Sequence, residues 1–257
     1  MKVTFLGISG AVQAADSGNI SFLVTKEKSS ILVEASGSPA GGLAACGVDL
    51  RELDAVLLSH GHADHLYALP SLLQNMRLLE RSRPLPVFAN APTLETARAL
   101  CDVFRLEKKP GMFPVLWTAF PEGETALGPF VLETFETVHG VPTTGFVLSA
   151  GRRKLVYFAD TAPLAAMPAA ALGADVVIHE AGGVEGEEPA LNALGHCSGR
   201  QAALAAGKIL LPDQDAAMLF LCHLPPEPQA REAILAEARL NYPGLTLIPD
   251  LFSPCRI

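Results

Sequence analysis

Leu53-Asp-Ala-Val-Leu-Leu-Ser-His-Gly-His-Ala-Asp-His-Leu-Tyr-Ala-Leu-Pro70 is the stretch on which the reading of this chain turns. His60, His62, Asp64 and His65 fall within it, at the end of the apolar run Ala55 to Leu58. That run is short and bounded, so it reads as a buried strand. Beyond the cluster, Leu66, Leu69, Leu73 and Met76 recur at spacings of three and four, which predicts a helix. Packing gives no reason to crowd imidazoles and a carboxylate where a strand leaves the core, and unpaired polar groups there are costly. Imidazole nitrogen with carboxylate oxygen suits zinc and related transition metals. In extended chain His60 and His62 project to the same side. Asp64 and His65, past the strand end, can turn to a neighbouring position. One loop can therefore serve two cations, and a pair held ~3.5–4 Å apart is a hydrolytic arrangement.

Outward from this loop, the chain supplies further donors in the same way. Lys2 to Leu6 reads as a strand, Gly7 to Gly10 as a turn, and Ile20–Val24 with Ile31–Glu34 as strands joined by the polar Thr25–Ser30 turn. Gly37 to Gly47 is either a loop or a short helix. Downstream, Leu85–Ala89 is a strand and Thr93–Phe104 a helix, while Lys108–Phe120 carries no readable pattern. Pro129–Val138 alternates as a strand does and delivers His139. Leu155–Phe158 ends before Asp160, Asp175–Ile178 ends at His179 and Glu180, and Met218–Cys222 ends at His223. Packed in sheets, these strands bring their terminal side chains to one edge, where ligand sites collect in α/β proteins. Two helices are expected late in the chain: Gly199–Leu211, with a Ser198/Gln201 capping box, and Pro228–Leu240.

The chain has 257 residues, 49% hydrophobic and 18% charged, which fits a buried globular core rather than disorder. No linker or low-complexity run divides it, so residues 1–257 are expected to form a single domain. No apolar run approaches the ~20 residues of a membrane helix, and the early glycine turn does not fit a secretory signal; a cytoplasmic protein is expected. Five scattered cysteines argue against a disulfide framework. Cys197 and Cys222, beside histidines, are read as small buried apolar residues. The net charge of −8 disfavours tight non-specific binding to nucleic acid. It leaves room for a small phosphate-bearing substrate, because bound dications would set the local field.

His-x-His-x-Asp-His after a strand, with Ser59 before it, resembles the signature of the metallo-β-lactamase superfamily. The opening strand, Gly-rich turn and hairpin resemble ribonuclease Z and its relatives within it. The resemblance implies an α+β fold, the αββα four-layer sandwich, with two mixed sheets face to face and helices outside. It implies two metal sites: His60, His62 and His139 with Asp160, and Asp64, His65 and His223 with Asp160. His139 stands in Thr-Val-His-Gly and Asp160 in Phe-Ala-Asp-Thr, where the family has its next histidine and its bridging aspartate. The cofactors implied are two divalent ions, zinc first, with manganese or iron as alternatives. His62 stands where flavodiiron relatives carry Glu, which favours a zinc hydrolase. His179-Glu180-Ala and Gly-His196-Cys-Ser resemble ribonuclease Z segments. They imply His196 as general acid or substrate-binding group, with Glu180 orienting it, and His179 in support.

Such a centre makes hydroxide from water near neutral pH and stabilises a developing oxyanion, with Asp64 orienting the water and accepting its proton. The expected function is a phosphodiesterase acting on a cyclic nucleotide, a cyclic phosphate or an RNA end. The alternative is a hydrolase of carboxylic esters, thioesters or lactones; a metal-binding regulator without turnover is a third reading. The partner expected is a small-molecule or phosphate-ester substrate, with no membrane; a homodimer is possible. tRNA is disfavoured, because no long basic arm is visible and Leu-Pro-Pro-Glu-Pro follows His223 where ribonuclease Z has Ser and then Arg-Tyr.

Overall fold

The computed structural model describes residues 1–257. The chain opens with the antiparallel strands β1 (Lys2–Gly7), β2 (Ser21–Lys26) and β3 (Ser29–Val33), followed by the short helix α1 (Pro39–Ala45). Strand β4 (Ala55–Leu57) precedes the histidine loop, which coils into α2 (Ala63–Leu66) and then α3 (Leu69–Leu78). Strand β5 (Leu85–Ala89), helix α4 (Ala91–Val103) and strand β6 (Val115–Ala119) complete the first half. The second half begins antiparallel, with β7 (Thr125–Leu127), β8 (Phe130–Glu136), β9 (Thr144–Ala150) and β10 (Arg153–Tyr157). It continues in parallel through β11 (Val176–Glu180), helices α5 (Glu188–Ala193) and α6 (Gly199–Lys208), and β12 (Met218–Cys222). Helix α7 (Pro228–Asn241) and the two-residue strands β13 (Thr246–Leu247) and β14 (Cys255–Arg256) end the chain.

Each sheet has seven strands, in the orders β14-β1-β2-β3-β4-β5-β6 and β13-β12-β11-β10-β9-β8-β7. Each runs from antiparallel pairs at one side to parallel pairs at the other. The two halves thus share a pairing scheme, although no internal repeat is visible in their residues. Apolar side chains of both sheets meet between them. Phe5 lies 5.6 Å from Phe22 and 5.2 Å from Phe220 of the other sheet, and Phe22 packs edge-on to Tyr157 at 5.1 Å. Such aromatic contacts add about 0.5–1.5 kcal/mol each beyond the area they bury. Leu69, Leu72, Leu73 and Met76 of α3 bury the outer face of the first sheet against Val56 and Leu58. Ala202 and Ala206 of α6 and Ile234 and Ala238 of α7 join the core on the second sheet's side. This is the expected α+β sandwich.

Several local expectations are corrected. The run Lys108–Phe120 contains β6, an edge strand whose residues do not alternate cleanly between buried and exposed. Strand β9 was not expected. Gly145 interrupts its apolar run, and a Cβ there would stand 2.3 Å from the Phe135 ring, so the glycine makes room for the cross-strand aromatic. His179 and Glu180 lie on β11 rather than after it, paired with Leu221 and Cys222. Gly37–Gly47 resolves into α1 flanked by turns. The Ser198 cap is as expected: its hydroxyl accepts from the Gln201 amide, and the Gln201 side chain returns to the Ser198 amide. No helix is long and apolar enough to cross a membrane.

Candidate metal centre

The parallel strands of both sheets point their C-terminal ends at the same edge, and the polar side chains meet there. His60 lies three residues beyond β4. Its Nε2 lies 3.0 Å from His62 Nδ1, which in turn lies 3.1 Å from His139 Nε2 on the loop after β8. Asp160, beyond β10, sends Oδ2 into the middle. That one oxygen lies 3.7 Å from His60 Nε2, 3.8 Å from His139 Nε2, 3.4 Å from His65 Nε2 and 3.3 Å from His223 Nε2. Asp64 Oδ2 stands 3.6 Å from His65 Nε2 and 3.3 Å from His223 Nε2. All seven side chains expected as ligands are therefore gathered in one cluster. They form one triad of His60, His62 and His139 and another of Asp64, His65 and His223, with Asp160 between them.

Neighbouring contacts aim the rings. Ser59 Oγ lies 2.9 Å from His60 Nδ1, and the Gly195 carbonyl accepts from His139 Nδ1 at 2.9 Å. Each bond occupies the far nitrogen and turns the other inward. Glu34 was not anticipated. It closes β3 in a left-handed conformation (φ 61°), is fully buried, and brings Oε1 to 3.5 Å from His65 Nδ1. Its Oε2 accepts from the Ser59 amide at 3.3 Å. The only local signal was an acid ending an apolar strand; its partners are remote in sequence.

The electrostatics fit cations. Burial presses His60 well below the ordinary imidazole pKa, and the nearby His65 adds to this. Burial lowers His62 and His139 as well, which leaves three neutral imidazoles facing one point. Burial also opposes charge on His65, but the Asp160 and Glu34 carboxylates overcome it and raise that ring well above its usual value. His223 is raised against burial by Asp160 and by its bond to Asp64. Burial opposes ionisation of Asp160, yet His223 and His65 hold it well below the carboxylate range. Asp64 is lowered in the same way, against burial, by His223 and His65. Both carboxylates therefore stay ionised and draw positive charge to this spot. Neither nitrogen of the fully buried His65 has a hydrogen-bond partner, nor does Asp160 Oδ1. Zinc–nitrogen bonds of about 2.0–2.1 Å in a tetrahedral shell put neighbouring donors roughly 3.3 Å apart. The observed spacings fit such a shell.

Beside the triads, His196 Nδ1 lies 3.0 Å from both oxygens of Glu180. Its ring stacks on His223 at 5.3 Å and meets His139 edge-on at 4.9 Å. Burial first, then the Asp160 charge, push the Glu180 carboxyl well above its usual pKa. His179 does not join the cluster. It stacks on Phe158 at 4.9 Å, and burial lowers its pKa to about 4. Two hollows flank the cluster. One of about 240 Å³ is walled by Val12, Leu191 and Pro225 beside His196 and His223, and one of about 430 Å³ is lined by Asn90, Thr137 and the loop after His139.

A sequence model of the β-lactamase superfamily domain matches residues 30–223, a span that reaches from β3 to His223. A ribonuclease Z of Halorubrum lacusprofundi is 25% identical over 97% of this chain and 95% of its own length. Among solved structures, the metallo-β-lactamase fold protein YhfI of Bacillus subtilis superposes with a TM-score of 0.80 at 24% identity, covering 99% of this chain and 98% of its own. The short form of human tRNase Z superposes with a TM-score of 0.77 at 18% identity, over 100% and 99%. With the fold and three quarters of the sequence accounted for in this way, the chain belongs to the β-lactamase superfamily, in its metallo-β-lactamase fold.

Proposed function

We propose that this protein is a metal-dependent hydrolase of phosphodiesters, acting on a cyclic nucleotide, a cyclic phosphate or an RNA end. One observation carries the reading: two donor triads share Asp160 Oδ2, with the Glu180-held His196 alongside. The ribonuclease Z relative supports a phosphoester substrate and gives no support to the expectation against tRNA. His60, His62, His139 and Asp160 would hold one divalent ion, zinc by the chemistry of the donors, and Asp64, His65, His223 and Asp160 a second. When bound, such ions supply a strong Lewis acid and lower the pKa of water. The remaining work falls to the side chains. Asp64 accepts a hydrogen bond from the attacking water, orients it and takes its proton. Attack forms the new P–O bond as the bond to the leaving oxygen breaks. His196, held through Nδ1 by Glu180, gives a proton to that oxygen from Nε2. The apolar hollow beside His196 suits a base or another flat leaving group, and the polar hollow beside His139 suits the rest of the substrate.

The test is a panel on zinc- or manganese-loaded protein: bis-p-nitrophenyl phosphate, cyclic nucleotides, a precursor tRNA, a lactone and a thioester. Turnover of the phosphodiesters is expected, and which one turns over names the substrate class. Hydrolysis of the carbonyl compounds alone would overturn the reading in favour of the ester and lactone alternative.

A further inference from the structure

Behind the acid pair lies a third cavity that the proposed reaction does not use. It occupies about 200 Å³ between the end of β11 and helix α6, and Phe158, Met167, His179, Cys197, Leu204 and Lys208 are among its walls. Adjacent residues of a strand face opposite ways. While Glu180 reaches His196, His179 therefore faces this cavity. His179 is 2% exposed, and its Nδ1 donates to the Glu180 carbonyl at 2.8 Å. Its Nε2 has no partner in the protein and is the acceptor of the neutral ring. The stacked Phe158 makes a flat apolar wall beside it. No acidic side chain lines the space. Of the two cations at its rim, Arg200 is tied to Glu188 at 2.6 Å and Glu185 at 3.2 Å, whereas Lys208 forms no ion pair. An apolar cavity of roughly 150 Å³ takes up benzene, so one ring with short substituents fits this one.

We propose that this cavity binds a small monocyclic molecule carrying a hydroxyl or N–H for His179 Nε2 and an anionic group for Lys208. Solution NMR of the zinc-loaded full chain, labelled at the methionine methyls, provides the test. The chain has five methionines, and of these only Met167 lines the cavity. The probe is 4-hydroxyphenylacetate, compared with 4-methylphenylacetate, which lacks the donor, and 4-hydroxybenzyl alcohol, which lacks the anion. The Met167 signal is expected to move saturably with the first, and each comparator to bind about tenfold more weakly. A carboxylate held at the metal centre would leave Met167 unmoved. Ala205→Phe, which fills the space, should abolish the shift. Lys208→Gln, an exposed change that spares the fold, should weaken the acid while leaving the alcohol's affinity unchanged. The proposal is overturned by the absence of a saturable Met167 shift up to roughly 10 mM probe, by a shift that survives Ala205→Phe, or by equal affinity for all three compounds.

Discussion

Gly195 sits at φ 81°, where an L side chain is strained, and a Cβ added to it would stand 2.7 Å from His139 Nδ1 and 2.8 Å from His139 Cα. Its carbonyl is also the acceptor that aims His139. Gly195→Ala must therefore displace the histidine or its own loop, because the near atoms include backbone. A loss of at least ~10²-fold in kcat is expected from misplacing a donor by even about 1 Å, with Gly186→Ala, which meets nothing within 4 Å, as the neutral control. Equal rates in the two variants would remove Gly195 from this role. Glu34 acts on His65 in a related way, through a ring nitrogen that faces away from the cluster. Glu34→Gln keeps the volume but removes the charge, and should weaken metal binding by roughly 10–100-fold in a chelator competition. An unchanged affinity would show that the carboxylate serves only the Ser59 amide. The two residues differ in how far the sequence exposes them. His-x-His-x-Asp-His is legible because its donors are neighbours in the chain. Glu34 is not, since its meaning depends on a histidine brought close only by the parallel pairing of β3 with β4.

At the scale of elements, what the chain reveals depends on whether a segment's signal is internal. Strands β5 and β12 are legible to the residue, because each is a bounded apolar run buried along nearly its whole length. Helix α6 was legible from its capping box. Strand β9 was hidden by a glycine whose purpose lies on the neighbouring strand β8, and β6 by its place at a sheet edge, where alternation need not be kept. Helix α6 also holds the back of the acid pair: the Ser198 hydroxyl that caps it donates to Glu188, and His196 is two residues away. Ser198→Ala should cost about 1 kcal/mol of stability, read as a lower midpoint in urea. It should also slow substrates with poor leaving groups more than good ones, as the His196 loop loosens. A change in stability with uniform slowing would mean that the cap does not reach His196.

Across the whole molecule, the donors come from both halves of the chain and meet over the seam between the two sheets. Cations bound there would join the halves. Ligands that bind only the folded state stabilise it, by about 2.7 kcal/mol when present at a hundredfold over their dissociation constant. For a protein of this size, that corresponds to a rise in Tm on the order of 5–10 °C. Calorimetry with and without a strong chelator should register this difference, and coincident transitions would argue that the cluster holds no ion. The general architecture was legible through the resemblance of the histidine motif to its superfamily, and the convergence of the donors because many strands end in a histidine or an acid. The shared pairing scheme of the two sheets was not, since it lives in backbone hydrogen bonds that different side chains satisfy equally well. Both sheets are laid down in chain order apart from β14, so the donors emerge in sequence as well. A nascent chain leaving the ribosome has its first triad in hand once His139 appears, while the second waits for His223. Under the proposed metal assignment, the donor set that Asp160 completes is therefore synthesised before the set that His223 completes.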